Sequence, residues 1–232
     1  MKARIEALGD RALQVSLDAA SIEEANRQVH ALFAYIDARR PPWIEDLVPA
    51  YTSLAVILDP DAAHPSAPLE HAREWIGAAL DTAATGTAGP ARCIDIPVCY
   101  GGSFGPDLAE WARHGGFTPE EGIARHAGGD YRVAMLGFAP GFPYLTGLDP
   151  ALAMPRLATP RARIPAGSVG IGGGQTGVYP TAGPGGWRLL GRTPLRLFDP
   201  GASPPALLAP GDRVRFVAID RAQYDALGGM PE

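Results

Sequence analysis

Acid is what the second half of this chain has least of. Between Val133 and Phe198 the one carboxylate is Asp149, against six arginines: Arg156, Arg161, Arg163, Arg188, Arg192 and Arg196. The segment carries a formal charge of +5 inside a 232-residue chain whose total is −5. That acidic total excludes nucleic acid and anionic membrane as default partners. Cysteine is nearly missing as well. Cys93 and Cys99 are the only two, and in an extended segment they stand roughly 20 Å apart, too far to bridge. A reduced, cytoplasmic protein is expected. No apolar run nears the ~20 residues of a membrane helix, and the opening MKARIEALGDRAL lacks the apolar stretch of a secretory signal. No grouping of Cys, His, Asp and Glu has metal spacing, so none is expected to bind in this chain alone. No Ser-His-Asp set is readable, and Ser168 does not sit in a G-x-S-x-G elbow.

Glycine and proline are plentiful instead. Interleaved Val, Ile, Leu and aromatics argue against disorder and for a turn-rich, mostly β protein. In the first 80 residues the order strand, strand, helix, strand, strand, helix suggests a small α+β layer. Residues 12–17 alternate as a strand. Ser21 opens a helix with a capping box to Glu24 and a stripe of Ile22, Ala25, Val29, Leu32, Phe33 and Ile36. Residues 44–48 and 53–58 form two strands, and a second helix carries Leu69, Ala72, Ile76, Ala79 and Leu80. The small, breaker-rich TAATGTAGPAR at 82–92 is the expected linker between a domain at 1–81 and another at 93–232.

The second domain starts with a strand at 93–99. Two short helices follow, the second opened by Thr118, Pro119 and Glu121. Strands at 131–136, 168–171, 187–190, 195–198 and 213–218, separated by turn signals, predict a β-barrel or sandwich.

Within that domain Gly172, Gly174 and Gly177 satisfy G-x-G-x-x-G, but Val178, Tyr179 and Pro180 cannot open the helix that a dinucleotide needs. A hairpin or bulge beside a ligand is the better reading, with Gln175 and Thr176 facing either the local backbone or the ligand. Arg161 and Arg192, each beside a proline and without acid nearby in sequence, are candidates for holding an anion. Phe138, Phe142, Tyr144 and Trp187 are core, the rim of a pocket or a subunit contact. The prolines among the first three argue for an ordered loop. His126 is the general acid/base candidate by its ordinary pKa, against a structural role at a helix end. Asp10, Asp130 and Asp199 are expected as caps.

GFAPGFPYL (137–145), TPR (159–161), IPAGSV (164–169), GQTGVYP (174–180), GGW (185–187) and GRTP (191–194) occur in that order. LGDRAL (8–13) and VPAYTSL (48–54) accompany them, as does His126 ahead of Tyr131. The series resembles the 5-oxoprolinase B-subunit family, also called allophanate hydrolase subunit 1 or the KipI-like carboxyltransferase subdomain, over essentially the whole chain. The resemblance implies an α+β N-terminal domain followed by a mostly-β, cyclophilin-like barrel. It implies tight association with the C subunit of such an enzyme, and association with its A subunit, in ATP-dependent opening of 5-oxo-L-proline to L-glutamate. ATP and Mg²⁺ then belong to the complex, and the substrate is a small anionic amide. On this reading Arg161 and Arg192 hold a carboxylate or phosphoryl group, Gln175 and Thr176 orient the amide, and His126 or Tyr179 moves a proton. Phe138, Tyr144, Ser168, Trp187 and Thr193 complete the expected substrate-binding set. Two alternatives remain: a KipI-like inhibitor of a sensor histidine kinase, and a carboxyltransferase component of the allophanate hydrolase or urea amidolyase type.

Overall fold

The computed structural model describes residues 1–62, 68–83 and 91–228, and the chain divides into two units, Met1–Ala91 and Arg92–Glu232. The linker expected at 82–92 falls largely on residues 84–90, outside the described residues.

In the first unit β1 (Lys2–Ala7), β2 (Ala12–Asp18), β3 (Ile44–Pro49) and β4 (Ser53–Leu58) form an antiparallel sheet of order β1-β2-β4-β3. The sequence pattern assigns no range to β1. Helices α1 (Ile22–Asp37) and α2 (Pro68–Ala83) follow β2 and β4. Period-2 alternation puts Leu13, Val15 and Leu17 with Leu54, Val56 and Leu58 in one core, which Val29, Leu32, Ile36, Ile76 and Leu80 close from the helices. Ile22, expected in that stripe, is exposed, because it occupies the first helical position, before the buried face has begun. Asn26 and His30 are buried beside Ala25 and Val29 and bond one another. The Ser21 cap forms, with Glu24 N–H donating to it at 3.1 Å, but the Glu24 carboxylate receives the N–H of Ala20 rather than that of Ser21.

The second unit is a mostly-β domain built on β5 (Cys93–Tyr100), β6 (Tyr131–Leu136), β7 (Pro143–Thr146), β9 (Ser168–Gly172), β10 (Gln175–Val178), β12 (Arg188–Arg192) and β13 (Arg213–Ile219). These seven strands close a barrel in the order β10-β7-β6-β13-β5-β12-β9, with β9 returning to β10. Closure removes the sheet edges that would otherwise recruit another chain. All neighbours are antiparallel except β5 and β13, which run parallel. Helices α3 (Leu108–Gly115) and α4 (Pro119–Ala127) join β5 to β6. The capping box expected at Thr118 and Glu121 is present on both sides. A short ribbon of β8 (Arg161–Ile164) and β11 (Gly183–Gly185) stands apart from the barrel ladder, and α5 (Arg221–Ala226) follows β13.

Two expectations change. The strand expected at 195–198 is a loop with a single bridge from Phe198 to Ala206. The segment after Phe138 is a loop only as far as Phe142. Pro143 then opens β7, a barrel strand, at the one position where a missing N–H costs no ladder bond. Cys93 is exposed and Cys99 buried, and both are free thiols on one strand.

Candidate functional site

Strand alternation gives the β9–β10 hairpin two faces with different chemistry. Val169 and Val178 point into the barrel core with Val133, Leu145 and Phe216. On the other face a side chain has no room. A Cβ on Gly172 would lie 2.4 Å from the Trp187 ring, and one on Gly177 would lie 2.6 Å from the Pro143 carbonyl and 3.2 Å from Trp187. These two glycines of the G-x-G-x-x-G run are therefore the flat seat of an indole. The tight turn between the strands makes a further demand, met by Gly173 at φ 65° with Gln175 paired to Gly172.

Around that indole the outer face builds an aromatic layer of Phe142, Tyr179 and Trp187 with Ile164 and Leu189. The rings meet edge to face: Phe142 stands 5.3 Å from Tyr179 and 5.5 Å from Trp187, and 4.9 Å from Tyr144 in a tilted contact. Such contacts add to area burial and fix ring orientation. Above them opens a cleft of about 160 Å³ lined by Phe138, Phe142, Tyr144, Arg156, Leu157, Pro160, Tyr179, Gly185, Gly186 and Trp187. Its walls are apolar, its hydroxyls are the phenols of Tyr144 and Tyr179, and its one charge is Arg156, whose guanidinium carbon lies 5.8 Å from the Trp187 ring centroid. Burial raises the Tyr179 phenol above its ordinary value, partly offset by a backbone hydrogen bond at Trp187, so it is neutral near pH 7. Gly185 makes room for that phenol, since a Cβ there would come within 2.5 Å of the Tyr179 oxygen.

Phe138 stands at the rim. It is 66 % exposed and, among the described residues, the one non-glycine at positive φ (65°). Its edge meets Phe142 at 5.4 Å and Tyr179 at 6.3 Å. That backbone conformation is costly for an L-residue with a bulky ring, and such strain clusters at functional sites.

No acid stands near Arg161 in sequence, but the fold supplies one. Arg161 Nη2 lies 2.8 Å from Asp107 Oδ1, and Arg188 Nη1 lies 2.8 Å from Glu110. Both carboxylates arrive from the start of α3, so a sequence window around the arginines does not contain them. The buried Asp107 also accepts the Leu189 N–H at 2.7 Å, which ties the α3 entrance to β12. Arg196 pairs with Asp199, whose other oxygen caps the turn at Gly201. Asp130, expected as a cap, pairs with Arg213 instead.

Arg161 and Arg192 do not share a cavity. Arg161 borders the aromatic cleft, with a long 3.5 Å bond to the Trp187 carbonyl. Arg192 is buried, donates from Nε to the Ala166 carbonyl at 2.8 Å, and lines a separate recess of about 200 Å³ with Ser103, Phe104, Pro165, Ser168 and Leu189. Ser168 lies there too and donates its proton to the Pro165 carbonyl. Thr193 is buried and accepts the Leu195 N–H, a turn role. Gln175 is half-buried at the start of β10.

His126 and Thr176 face inward. The Thr176 hydroxyl donates to the Gly170 carbonyl at 3.1 Å. Its one proton being used, it accepts from His126 Nε2–H at 2.9 Å, which leaves Nδ1 to accept the Tyr100 hydroxyl at 2.8 Å. The imidazole is fully buried and stacks on Phe216 with centroids 4.6 Å apart. Burial lowers its pKa from 6.5 to about 3, so it is neutral at physiological pH, with both nitrogens satisfied. Burial likewise pushes the Tyr100 phenol up. The ring belongs to the barrel core and does not line the aromatic cleft. A helix-end histidine read from sequence gives no sign of which way it points.

Of the expected residues, the structure thus gathers Phe138, Tyr144, Tyr179 and Trp187 at one cleft, with Arg161 beside it. Sequence reasoning missed Arg156 as a lining residue and Asp107 as the partner of Arg161. Arg156 lay in the same acid-poor run, but nothing in its spacing separates it from its neighbours.

The closed barrel with its flanking helices is of the carboxyltransferase type. The family described as "Carboxyltransferase domain, subdomain C and D" matches residues 3–208. The sequence is 46 % identical over 229 residues to the 5-oxoprolinase B subunit of Bacillus subtilis (strain 168), covering 96 % of this chain and 95 % of that one. The crystal structure of TTHA0988 superposes with a TM-score of 0.75 at 38 % identity over 91 % of this chain, which spans only 40 % of that longer protein. The K. lactis urea amidolyase, 18 % identical, shares the fold with a TM-score of 0.72 over 97 % of this chain and 15 % of its own. The chain belongs to the carboxyltransferase family of subdomains C and D, and within it to the group of 5-oxoprolinase B subunits. Among the described residues no helix is long and apolar enough to cross a membrane.

Proposed function

We propose that this chain is the B subunit of a 5-oxoprolinase, acting with the enzyme's A and C subunits to open 5-oxo-L-proline to L-glutamate at the expense of ATP. The observation that carries the reading is the end-to-end 46 % identity with a 5-oxoprolinase B subunit. The cleft supports it in chemical terms. Its volume of about 160 Å³ suits a small ring, below the roughly 300–1,000 Å³ of drug-sized pockets. The flat faces of Trp187 and Tyr179 suit a planar lactam, and the phenols of Tyr144 and Tyr179 suit its N–H and C=O.

A lactam carbonyl is a poor electrophile, and transfer of a phosphoryl group to its oxygen is one route to activation. Among the described residues no three His, Cys, Asp or Glu side chains converge to hold a metal ion. The glycine run turns into a strand, not into a helix N-terminus that would cradle phosphates. The described residues therefore offer no fit for Mg²⁺-ATP, and the proposal places the nucleotide with the other polypeptides of the complex. The chain's own part is to bind the lactam ring, shield it from water and present its amide edge.

Purified chain mixed with the A and C subunits should release glutamate from 5-oxo-L-proline only when ATP is present and all three polypeptides are combined. Full glutamate release by the other two without this chain would remove the reading.

A further inference from the structure

We propose that Arg156 is the specificity-determining residue of the aromatic cleft, selecting a small ring that bears a carboxylate over the same ring without one. The inference rests on the reading that the cleft receives the lactam, and it adds the group that reads the acid.

Ten residues line the cleft, and Arg156 is the one that carries a charge. Every other guanidinium near the aromatic layer has a structural task. Arg161 is held by Asp107 at 2.8 Å, and Arg188 by Glu110 at 2.8 Å and the Pro155 carbonyl at 3.3 Å. Arg192 lies in the other recess. Arg156 pairs with no carboxylate among the described residues; its guanidinium carbon lies over the Trp187 ring, 5.8 Å from the centroid. That places an exposed guanidinium at the edge of the cleft, within cation–π range of its indole wall. No lining side chain is acidic, and the Tyr179 phenol is neutral near pH 7, so nothing in the cleft opposes an anion. A guanidinium matches a carboxylate with two parallel bonds. A neutral ring gains only the aromatic walls.

The test uses the full chain with its tryptophan indoles labelled with ¹⁵N, the Trp187 signal being the one lost in Trp187→Phe. Titration with 5-oxo-L-proline should shift that signal, while 2-pyrrolidinone, the same ring without the acid, should bind at least about 10-fold more weakly. Arg156→Gln should erase the difference between the two rings. Arg163→Gln, on the exposed side of β8, should leave it intact. Equal responses to both rings in the unaltered chain, an unchanged preference in Arg156→Gln, or a Trp187 signal that neither ring moves would each overturn the inference. Turnover separates this from the parent reading. A reconstituted complex that keeps its KM with Arg156→Gln sinks the role of Arg156 and spares the function. A complex inert towards 5-oxo-L-proline, beside an Arg156-dependent shift of Trp187, sinks the function and spares the role of Arg156.

Discussion

Thr176 and Gly177 are consecutive residues of one strand, yet they serve opposite regions of the barrel. The Thr176 hydroxyl joins a sealed interior network with His126 and Tyr100 in which each polar atom has its partner. Gly177 helps form the floor of an open cleft whose one cation has no acid beside it among the described residues. The inner face uses polar groups to fix the geometry of the barrel. The outer face borders a cleft whose lining carries two phenols and one guanidinium. A titratable residue type is therefore a poor guide to function until the face it occupies is known.

The largest effect should come from breaking the inner network. His126→Ala removes a fully buried ring and strands the Tyr100 hydroxyl. A stability loss of about 3–5 kcal/mol is expected in urea unfolding, as for other buried rings. A loss below about 1 kcal/mol would show that the interior is not the rigid half of the pair.

Acid should act on the same network. The folded pKa of His126 is about 3 against an ordinary 6.5, so between these values the unfolded chain binds the extra proton. His126 then contributes stability above about pH 6.5 that is lost as pH falls towards 3, by up to about 1.4 kcal/mol per pH unit. His126→Phe, which keeps the stack on Phe216, should flatten this part of the pH–stability curve. An unchanged slope in the variant would assign the acid sensitivity elsewhere.

Smaller effects are expected on the outer face. Gly172→Ala pushes a methyl to 2.4 Å from Trp187, which should cost about 1–3 kcal/mol and displace the wall of the cleft, so ligand affinity falls along with stability. Phe138→Gly relieves a positive φ while deleting an exposed ring. Its stability should stay within about 1 kcal/mol of the parent, while ligand affinity or assembly with the other subunits weakens, as measured by titration and by size-exclusion chromatography. A large loss of stability there would make Phe138 a packing residue and blur the contrast between the faces.

What was legible in the sequence was local. The alternation of Leu13, Val15 and Leu17 places them in the core, and the Thr118 capping box forms as written. The prolines and glycines around Phe142 mark an ordered aromatic turn, and the six ordered motifs carry the family. Long-range closure was not legible. Nothing in 93–99 and 213–218 says that these strands run parallel side by side. Nor does a run with so little acid say that Asp107 waits 54 positions before Arg161. Orientation was hidden for the same reason: His126 and Arg192 have the chemistry of site residues, and only the packed barrel shows them turned away from the aromatic cleft.

The most direct measurement is a crystal structure of the chain with 5-oxo-L-proline. The ring is expected against Trp187 and Tyr179 with its carboxylate on the Arg156 guanidinium, and the His126 network undisturbed. A ligand seated against Arg192, or one that reaches His126 by opening the barrel core, would contradict that division of the two faces.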